Sequence, residues 1–188
     1  QEGRDYIECL SEDDPCSEVQ KALDKIESRL GSRFVAVALD TLSSLADRDM
    51  AWLERTMGGA EKKKYGAIYF RLYERIKGIL WRAMQKRVAV VASVHERDPS
   101  TFEGKFKPGG TDLPGQLVKT VPSLFDIVLR CGVDTDAAGQ SVGVFRCNRL
   151  DTDYITGDRF GVGRGAAAVD AATAAALRSV VLTSRSFA

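Results

Sequence analysis

The chain has 188 residues, of which 44% are apolar and 28% are charged, a composition typical of one globular domain with a substantial core. Its 27 Lys and Arg residues nearly balance its 26 Asp and Glu residues, so the overall charge gives no reason to expect nucleic acid as a partner. The longest apolar runs have strand length, no signal peptide is recognisable, and the four cysteines form no CxxC pair. We therefore expect a cytoplasmic protein without a membrane span.

The first half of the chain predicts strands that alternate with helices. Apolar residues recur at helical spacing, as at Val19, Leu23 and Ile26. Phe34–Leu39 and Val88–Val94 are instead continuous apolar runs, which are typical of strands buried on both faces of a parallel sheet. In chain order we predict strand Arg4–Leu10, helix Ser17–Leu30, strand Phe34–Leu39, helix Ser43–Thr56, a flexible break over Met57–Lys64, helix Tyr65–Arg87 and strand Val88–Val94.

The second half is rich in turn-forming residues. Its Pro and Gly residues predict a long loop over Asp98–Pro122, and loops of that length in compact domains are usually functional or disordered. Beyond it we predict a hairpin of Leu124–Cys131 with Ser141–Asn148, a short strand near Tyr154–Thr156, a loose stretch over Gly157–Gly165 and an alanine-rich helix over Ala166–Val181. The order of elements predicts a three-layer α/β domain with a mainly parallel sheet and a C-terminal antiparallel hairpin.

Two polar residues follow the two apolar strands. Asp40 ends the first strand, at the sheet edge where open α/β folds bind ligands and where nucleotide-hydrolysing folds place a carboxylate that helps to hold Mg²⁺. His95, the only histidine, ends the second strand, where it could hydrogen-bond a phosphate oxygen or an attacking water. The alternatives are an Asp that caps the next helix and a His that pairs with neighbouring backbone.

In their order these segments resemble the RecA-like ATPase core, particularly the small phage and prophage nucleotide-binding proteins linked to single-strand annealing and recombination. The resemblance spans about Arg4 to Phe160. It is carried by Val37–Leu45 as the Walker B segment, Val90–Glu96 as the sensor strand, and Asp112–Leu117 followed by Pro122–Asp126. The resemblance implies a RecA-like core over residues 1–165, followed by a C-terminal helix and tail over residues 166–188.

The resemblance also implies ligands and roles. Family members bind ATP with Mg²⁺ and assemble as rings or filaments, so ATP, Mg²⁺ and a homo-oligomer are expected. Asp40 would hold Mg²⁺ through water, Thr41 and Ser43 would support that shell, and His95 would sense the γ-phosphate. Asp40 and His95 are therefore the candidate catalytic residues of a protein that acts in the cytoplasm of a bacterial or phage-infected cell.

Single-stranded DNA is the macromolecular partner that the resemblance implies. Met57–Lys64 and Arg97–Val121 occupy the places of the two loops that face DNA in RecA-like filaments. Clustered cations suit contacts with phosphates, although a solvated loop has the same composition. Exposed aromatic rings can stack on unpaired bases, although such rings can equally hold the loop against its own domain. The candidate residues are Arg55, Lys62, Lys63, Lys64, Arg97, Phe102, Lys105, Phe106 and Lys107.

A row of cations also follows the long predicted helix. Arg71, Arg75, Arg82 and Lys86 recur opposite its apolar stripe. Such rows are usually solvated helix faces, and a contact with DNA or with another subunit is the alternative.

The sequence departs from the family because it lacks a phosphate-binding P-loop. The nearest string, Gly110–Leu117, has the glycine spacing, but Gln116 carries no charge and Leu117 cannot ligate a metal. Either the P-loop lies upstream of Gln1 in a longer protein, which we favour, or the chain is a degenerate homologue. An ATPase is thus expected by resemblance alone, and the alternative function is a non-catalytic scaffold or assembly module that keeps the fold without nucleotide chemistry.

Overall fold

The computed structural model describes residues 13–29, 36–62, 66–86, 89–107, 109–135, 137–146 and 157–158. Four predictions lie outside these residues: the strand Arg4–Leu10, the strand near Tyr154–Thr156, the helix Ala166–Val181 and the boundary after residue 165. Among the helices that are described, none is long and apolar enough to cross a membrane.

The chain divides into two units, Gln1–His95 with Asp112–Leu117, and Glu96–Thr111 with Val118–Ala188. In chain order the elements up to His95 are α1 Pro15–Arg29, β1 Ala36–Leu39, α2 Leu42–Thr56, α3 Gly59–Lys62, α4 Ala67–Met84 and β2 Ala89–Ala92. The remaining elements are β3 Glu96–Arg97, β4 Ser100–Phe102, β5 Lys105–Lys107, β6 Gly110–Thr111, α5 Leu117–Leu124, β7 Ile127–Val128, β8 Arg130–Thr135, β9 Ser141–Arg146 and β10 Gly157–Asp158.

Three helices form the core of the first unit. The predicted periodicity of the long helix is confirmed, because Leu72, Ile76, Ile79 and Ala83 of α4 are all buried. They pack with buried side chains of the other two helices, namely Leu23 of α1 and Leu42, Ala46 and Leu53 of α2. The helices α1, α2 and α4 begin within two residues of their predicted starts, whereas the predicted break contains the helical turn α3.

The row of arginines on α4 is partly solvated, since Arg71 and Arg82 are exposed, but Arg71, Arg75 and Arg82 each form an ion pair. Arg71 pairs with Glu61 of α3 at 2.9 Å, and Arg82 pairs with Asp24 of α1 at 2.6 Å. Arg75 reaches the buried carboxylate of Asp49. Each of these three arginines therefore joins α4 to another helix, because the carboxylates that neutralise them come from elements distant in sequence.

Asp49 is the centre of the most buried polar cluster. Its side chain is fully buried and accepts two hydrogen bonds from Arg75, at 2.7 Å from Nε and 2.8 Å from Nη2. The backbone N–H of Cys16 donates to Asp49 Oδ1 at 3.2 Å, and the guanidinium lies 4.5 Å from the centre of the Trp52 ring. A bidentate pair with these further contacts satisfies a charge that would otherwise be costly to bury.

Arg75 also pairs with Asp14, the residue that precedes α1. Asp14 Oδ1 accepts from the Ser17 N–H at 3.1 Å, so this carboxylate caps α1. Partial burial opposes the shift, yet the hydrogen bond from Arg75 lowers the pKa of Asp14. Burial raises the pKa of the neighbouring Cys16 thiol, which stays protonated near neutral pH.

The strands β1 and β2 form a parallel pair, as predicted, with Ala36 opposite Ala89 and Leu39 opposite Ala92. The prediction that both faces are buried is wrong. Val37 is buried, but Ala38 and its register partner Val91 are exposed. The reason is that α4 packs against β2, whereas the face that carries Val91 remains accessible.

The second unit corrects the predicted long loop over Asp98–Pro122. Instead β3 pairs with β6, and β4 pairs with β5, both antiparallel, so the segment is a two-stranded ribbon. Its tip is a two-residue turn in which Glu103 and Gly104 have φ of 49° and 71°, the conformation that favours Gly in such hairpins. The helix α5 takes up the end of the segment.

The predicted hairpin after the ribbon is confirmed, but its first strand is shifted. β8 pairs with β9 from Arg130 opposite Arg146 to Thr135 opposite Ser141. Arg130 also forms two contacts of 2.9 Å with Glu96 of β3. Gly157–Asp158, predicted to be loose, forms β10 and pairs with β7.

The described residues thus form a fold of mixed helices and short sheets. Of the five strand pairs among them, β1 with β2 is parallel and the other four are antiparallel. The α/β class is confirmed in this sense, and the finer three-layer arrangement with a mainly parallel sheet stays a prediction.

Candidate functional site

The candidate site lies where β1 and β2 end. Their pairing continues past the strands, because Ser93 N donates to Leu39 O at 3.0 Å and Leu42 N donates to Ser93 O at 2.9 Å. This places Asp40 and Ser93 side by side, and the Ser93 hydroxyl donates to Asp40 Oδ1. Asp40 is exposed, so its carboxylate can meet a ligand from solvent.

Ser93 is a site residue that sequence reasoning missed. The signal was available, since a small hydroxyl residue stands at the end of the second apolar strand, opposite the end of the first. Its significance depended on the register of the parallel pair, which sequence periodicity does not specify.

Thr41 begins α2. Its Oγ1 accepts from Ser44 N at 3.0 Å and donates to Ser44 Oγ at 2.9 Å, which makes it the N-cap of the helix. Asp40 therefore immediately precedes the partly positive end of a 15-residue helix, a position that attracts anionic ligands. The peptide bond between Asp40 and Thr41 is cis.

Ser43 joins three segments of the chain. Its hydroxyl donates to Asp112 O at 2.8 Å and accepts from His95 N at 3.0 Å, while Asp112 N donates to His95 O at 2.8 Å. The side chain is 2% exposed. Ser43 thus ties the first turn of α2 to the residues on either side of the ribbon.

The structure brings the predicted nucleotide-site residues to one region. Asp40, Thr41, Ser43 and His95 lie at the carboxyl ends of the parallel pair, because two parallel strands joined through helices end at the same edge of the sheet. The hydroxyls of Thr41 and Ser43 are, however, engaged within the chain, so each would have to exchange a hydrogen bond to contact a metal shell. The side chain of His95 is exposed.

The predicted DNA contacts are distributed over different elements. Arg55 is in the last turn of α2, and the exposed Lys62 ends α3. Arg97 in β3 and Lys105 in β5 are exposed on the ribbon. For the remaining candidates, the structure describes only the backbone of Phe102, Phe106 and Lys107, and Lys63 and Lys64 lie outside the described residues.

No family model, no curated protein and no solved structure matches the chain. Functional reasoning therefore depends on the geometry of the site. Within the described part of the chain, no group of three or more His, Cys, Asp or Glu side chains is arranged to hold a metal ion.

The string Gly110–Leu117 begins with the strand β6 and ends at the first residue of the helix α5, so it connects a strand to a helix as a phosphate-binding loop would. Its chemistry still differs, because Leu117 is buried and Gly115, at φ 60°, lies against the ring of Tyr69. A Cβ at Gly115 would lie 3.5 Å from that ring, which indicates packing against α4 and not a cradle for phosphates.

Proposed function

We propose that the chain is the nucleotide-binding core of a RecA-like ATPase of the phage recombination type, which acts on single-stranded DNA as an oligomer. The observation that carries this proposal is the exposed carboxylate of Asp40, held by Ser93 at the shared end of two parallel strands. The supporting observation is that the exposed cations Arg97 and Lys105 lie on the ribbon that begins immediately after His95. The three-layer RecA-like arrangement belongs to the same proposal.

The residues at the site suit the Mg²⁺ ion of the proposed Mg-ATP ligand but not its phosphates. Asp40 would hold Mg²⁺ through water, and Mg²⁺ would neutralise charge that develops on the β- and γ-phosphates during transfer. The described residues contain no loop whose chemistry suits the phosphates, so we propose that a segment upstream of Gln1 supplies it. No chemical step is assigned to the chain without that segment.

A scaffold or assembly module is the second candidate function. It is favoured by one specific observation, namely that the hydroxyls of both Thr41 and Ser43 are bonded within the chain. Under this proposal Asp40 would stabilise the end of the parallel pair through Ser93. The protein would then self-associate without affinity for nucleotide or DNA.

Hydrolysis of Mg-ATP tests the first proposal. In a form of the protein extended upstream of Gln1, the substitution Asp40→Ala is expected to lower the hydrolysis rate by more than about tenfold, because it removes the carboxylate that orients the metal. The substitution Asp47→Ala is the matched control, because Asp47 is an exposed aspartate on α2. Equal rates for the two variants would contradict the role of Asp40.

Binding of a labelled single-stranded oligonucleotide tests the DNA contact. Neutralising Lys62, Lys63 and Lys64 together is expected to weaken binding and to reduce the salt dependence, by about 0.7 in the log–log slope for each phosphate that the variant no longer neutralises. The exposed Lys21 of α1 provides the control substitution Lys21→Gln. An unchanged slope in the triple variant would remove this segment from the DNA site, and absence of binding by the unmodified protein would favour the scaffold.

A further inference from the structure

The outer face of α4 carries aromatic residues in place of the polar residues expected there. Phe70 is 64% exposed and Trp81 is 50% exposed, and both project away from the buried stripe that contains Ile76. A helix on the surface of a globular protein usually presents charged and polar side chains on that face. Large aromatic residues are enriched in protein interfaces, which makes this face a candidate contact surface.

The residues on this face are spaced symmetrically along the helix. Phe70 and Trp81 are eleven positions apart, which is three helical turns plus about 20°, so they lie on one line about 16 Å apart along the axis. Between them stand Glu74 and Lys77, which gives spacings of four, three and four residues. Read in either direction, the outer face shows aromatic, charged, charged and aromatic residues, with the two charges exchanged.

The charges on this face favour another copy of the chain over nucleic acid. Glu74 and Lys77 cancel each other, and the flanking Arg71 and Arg82 are already neutralised by Glu61 and Asp24. The face therefore lacks the positive field that attracts a phosphate backbone. The Lys77 ammonium lies 5.3 Å from the centre of the Tyr73 ring, a contact that keeps this cation at the aromatic face.

We propose that α4 pairs antiparallel with α4 of a second copy through this face. The two-fold axis would cross the outer face midway between Phe70 and Trp81, at the level of Arg75 and Ile76 along the helix. A two-fold interface requires a patch that is complementary to itself, and the reversed order of charges meets this requirement. Phe70 would lie level with Trp81 of the partner subunit, and Glu74 level with Lys77 of the partner subunit. The pairing needs neither nucleotide nor DNA, and it specifies one contact surface for the self-association that both candidate functions include.

Charge reversal tests the pairing in the full chain. Glu74→Lys places four cations at the centre of the interface and Lys77→Glu places four anions there, so each is expected to raise the dimer dissociation constant about tenfold or more. The double variant Glu74→Lys with Lys77→Glu, and an equimolar mixture of the two single variants, are expected to restore dimers because each again contains two charges of each sign. Sedimentation velocity over a range of protein concentrations measures the association, and Glu54→Lys on the exposed side of α2 is the control.

Circular dichroism separates unfolding from loss of pairing, because all these variants are expected to show the same helix content, and the same unfolding midpoint at protein concentrations where each is monomeric. A protein that stays monomeric at every concentration would overturn the proposal. So would a dimer that is insensitive to both single reversals, since its contact would lie elsewhere. Salt-dependent quenching of tryptophan fluorescence by an oligonucleotide that is lost in Trp81→Phe, with no self-association, would replace the second copy with nucleic acid.

Discussion

Replacing Asp49 with Ala is expected to lower the free energy of unfolding by about 3 to 5 kcal/mol, the usual cost of removing one member of a buried ion pair. The substitution leaves the guanidinium of Arg75 with Asp14 as its remaining carboxylate, and it removes the acceptor of the Cys16 N–H. Because the Arg75 side chain is 25% exposed, water can reach part of it, which favours the lower end of this range. Urea unfolding followed by circular dichroism measures the change.

Asp47→Ala provides the matched control for Asp49, because it makes the same chemical change two residues earlier on the exposed face of α2. It is expected to change the stability by less than about 0.5 kcal/mol. The double variant Asp49→Leu with Arg75→Met is expected to recover part of the loss, since apolar residues of similar size often replace a buried pair without penalty, while the Cys16 N–H stays without its acceptor. Equal stabilities of Asp49→Ala and Asp47→Ala would show that the cluster does not hold the helices together.

Replacing Ser43 with Ala is expected to cost about 1 to 3 kcal/mol, because it leaves the His95 N–H without its acceptor and removes the hydroxyl donor to Asp112 O. Protection of the His95 amide against hydrogen exchange is expected to fall more than protection of the buried amides in the middle of α4. Exchange followed by NMR or mass spectrometry, combined with urea unfolding, measures both effects.

Ser44→Ala separates the role of Ser43 from the general effect of losing a serine. Ser44 is exposed, and its hydroxyl accepts a bond from the Thr41 side chain only. Ser44→Ala is expected to lower the free energy of unfolding by less than half as much as Ser43→Ala does. It is also expected to leave the His95 amide protected against hydrogen exchange. If both variants lowered the protection of the His95 amide equally, the Ser43 hydroxyl would not be what connects α2 to His95 and Asp112.

The residues of the candidate site that end the two apolar strands could be predicted from the sequence. Asp40 and His95 each follow a continuous apolar run, and the helix between these runs implied a parallel crossover that brings the two ends to one edge. The roles of Ser43 and Ser93 were not predictable in this way. Their hydrogen bonds join residues more than 50 positions apart, and which hydroxyl meets which partner depends on the register of the strands.

The ribbon shows why a segment rich in Pro and Gly can be predicted as a loop and yet form strands. Pro and Gly residues recur throughout Asp98–Pro122 and indicated a loop, and the strands β4 and β5 between them are each only three residues long. Such short strands contain too few residues for an alternating pattern to stand out. Their antiparallel pairing and a two-residue turn at Glu103 and Gly104 stabilise the ribbon, and these are contacts between segments.

By itself the sequence determined the elements whose signal is local: the helices α1, α2 and α4, the two apolar strands, and the polar residues that end those strands. Helical periodicity and strand runs are properties of neighbouring residues, so they can be read without the fold. Tertiary structure alone decided which faces are covered. It paired the arginines of α4 with carboxylates of other helices, left Val91, Phe70 and Trp81 exposed, and engaged the Ser43 hydroxyl, because burial and charge pairing depend on contacts between distant segments.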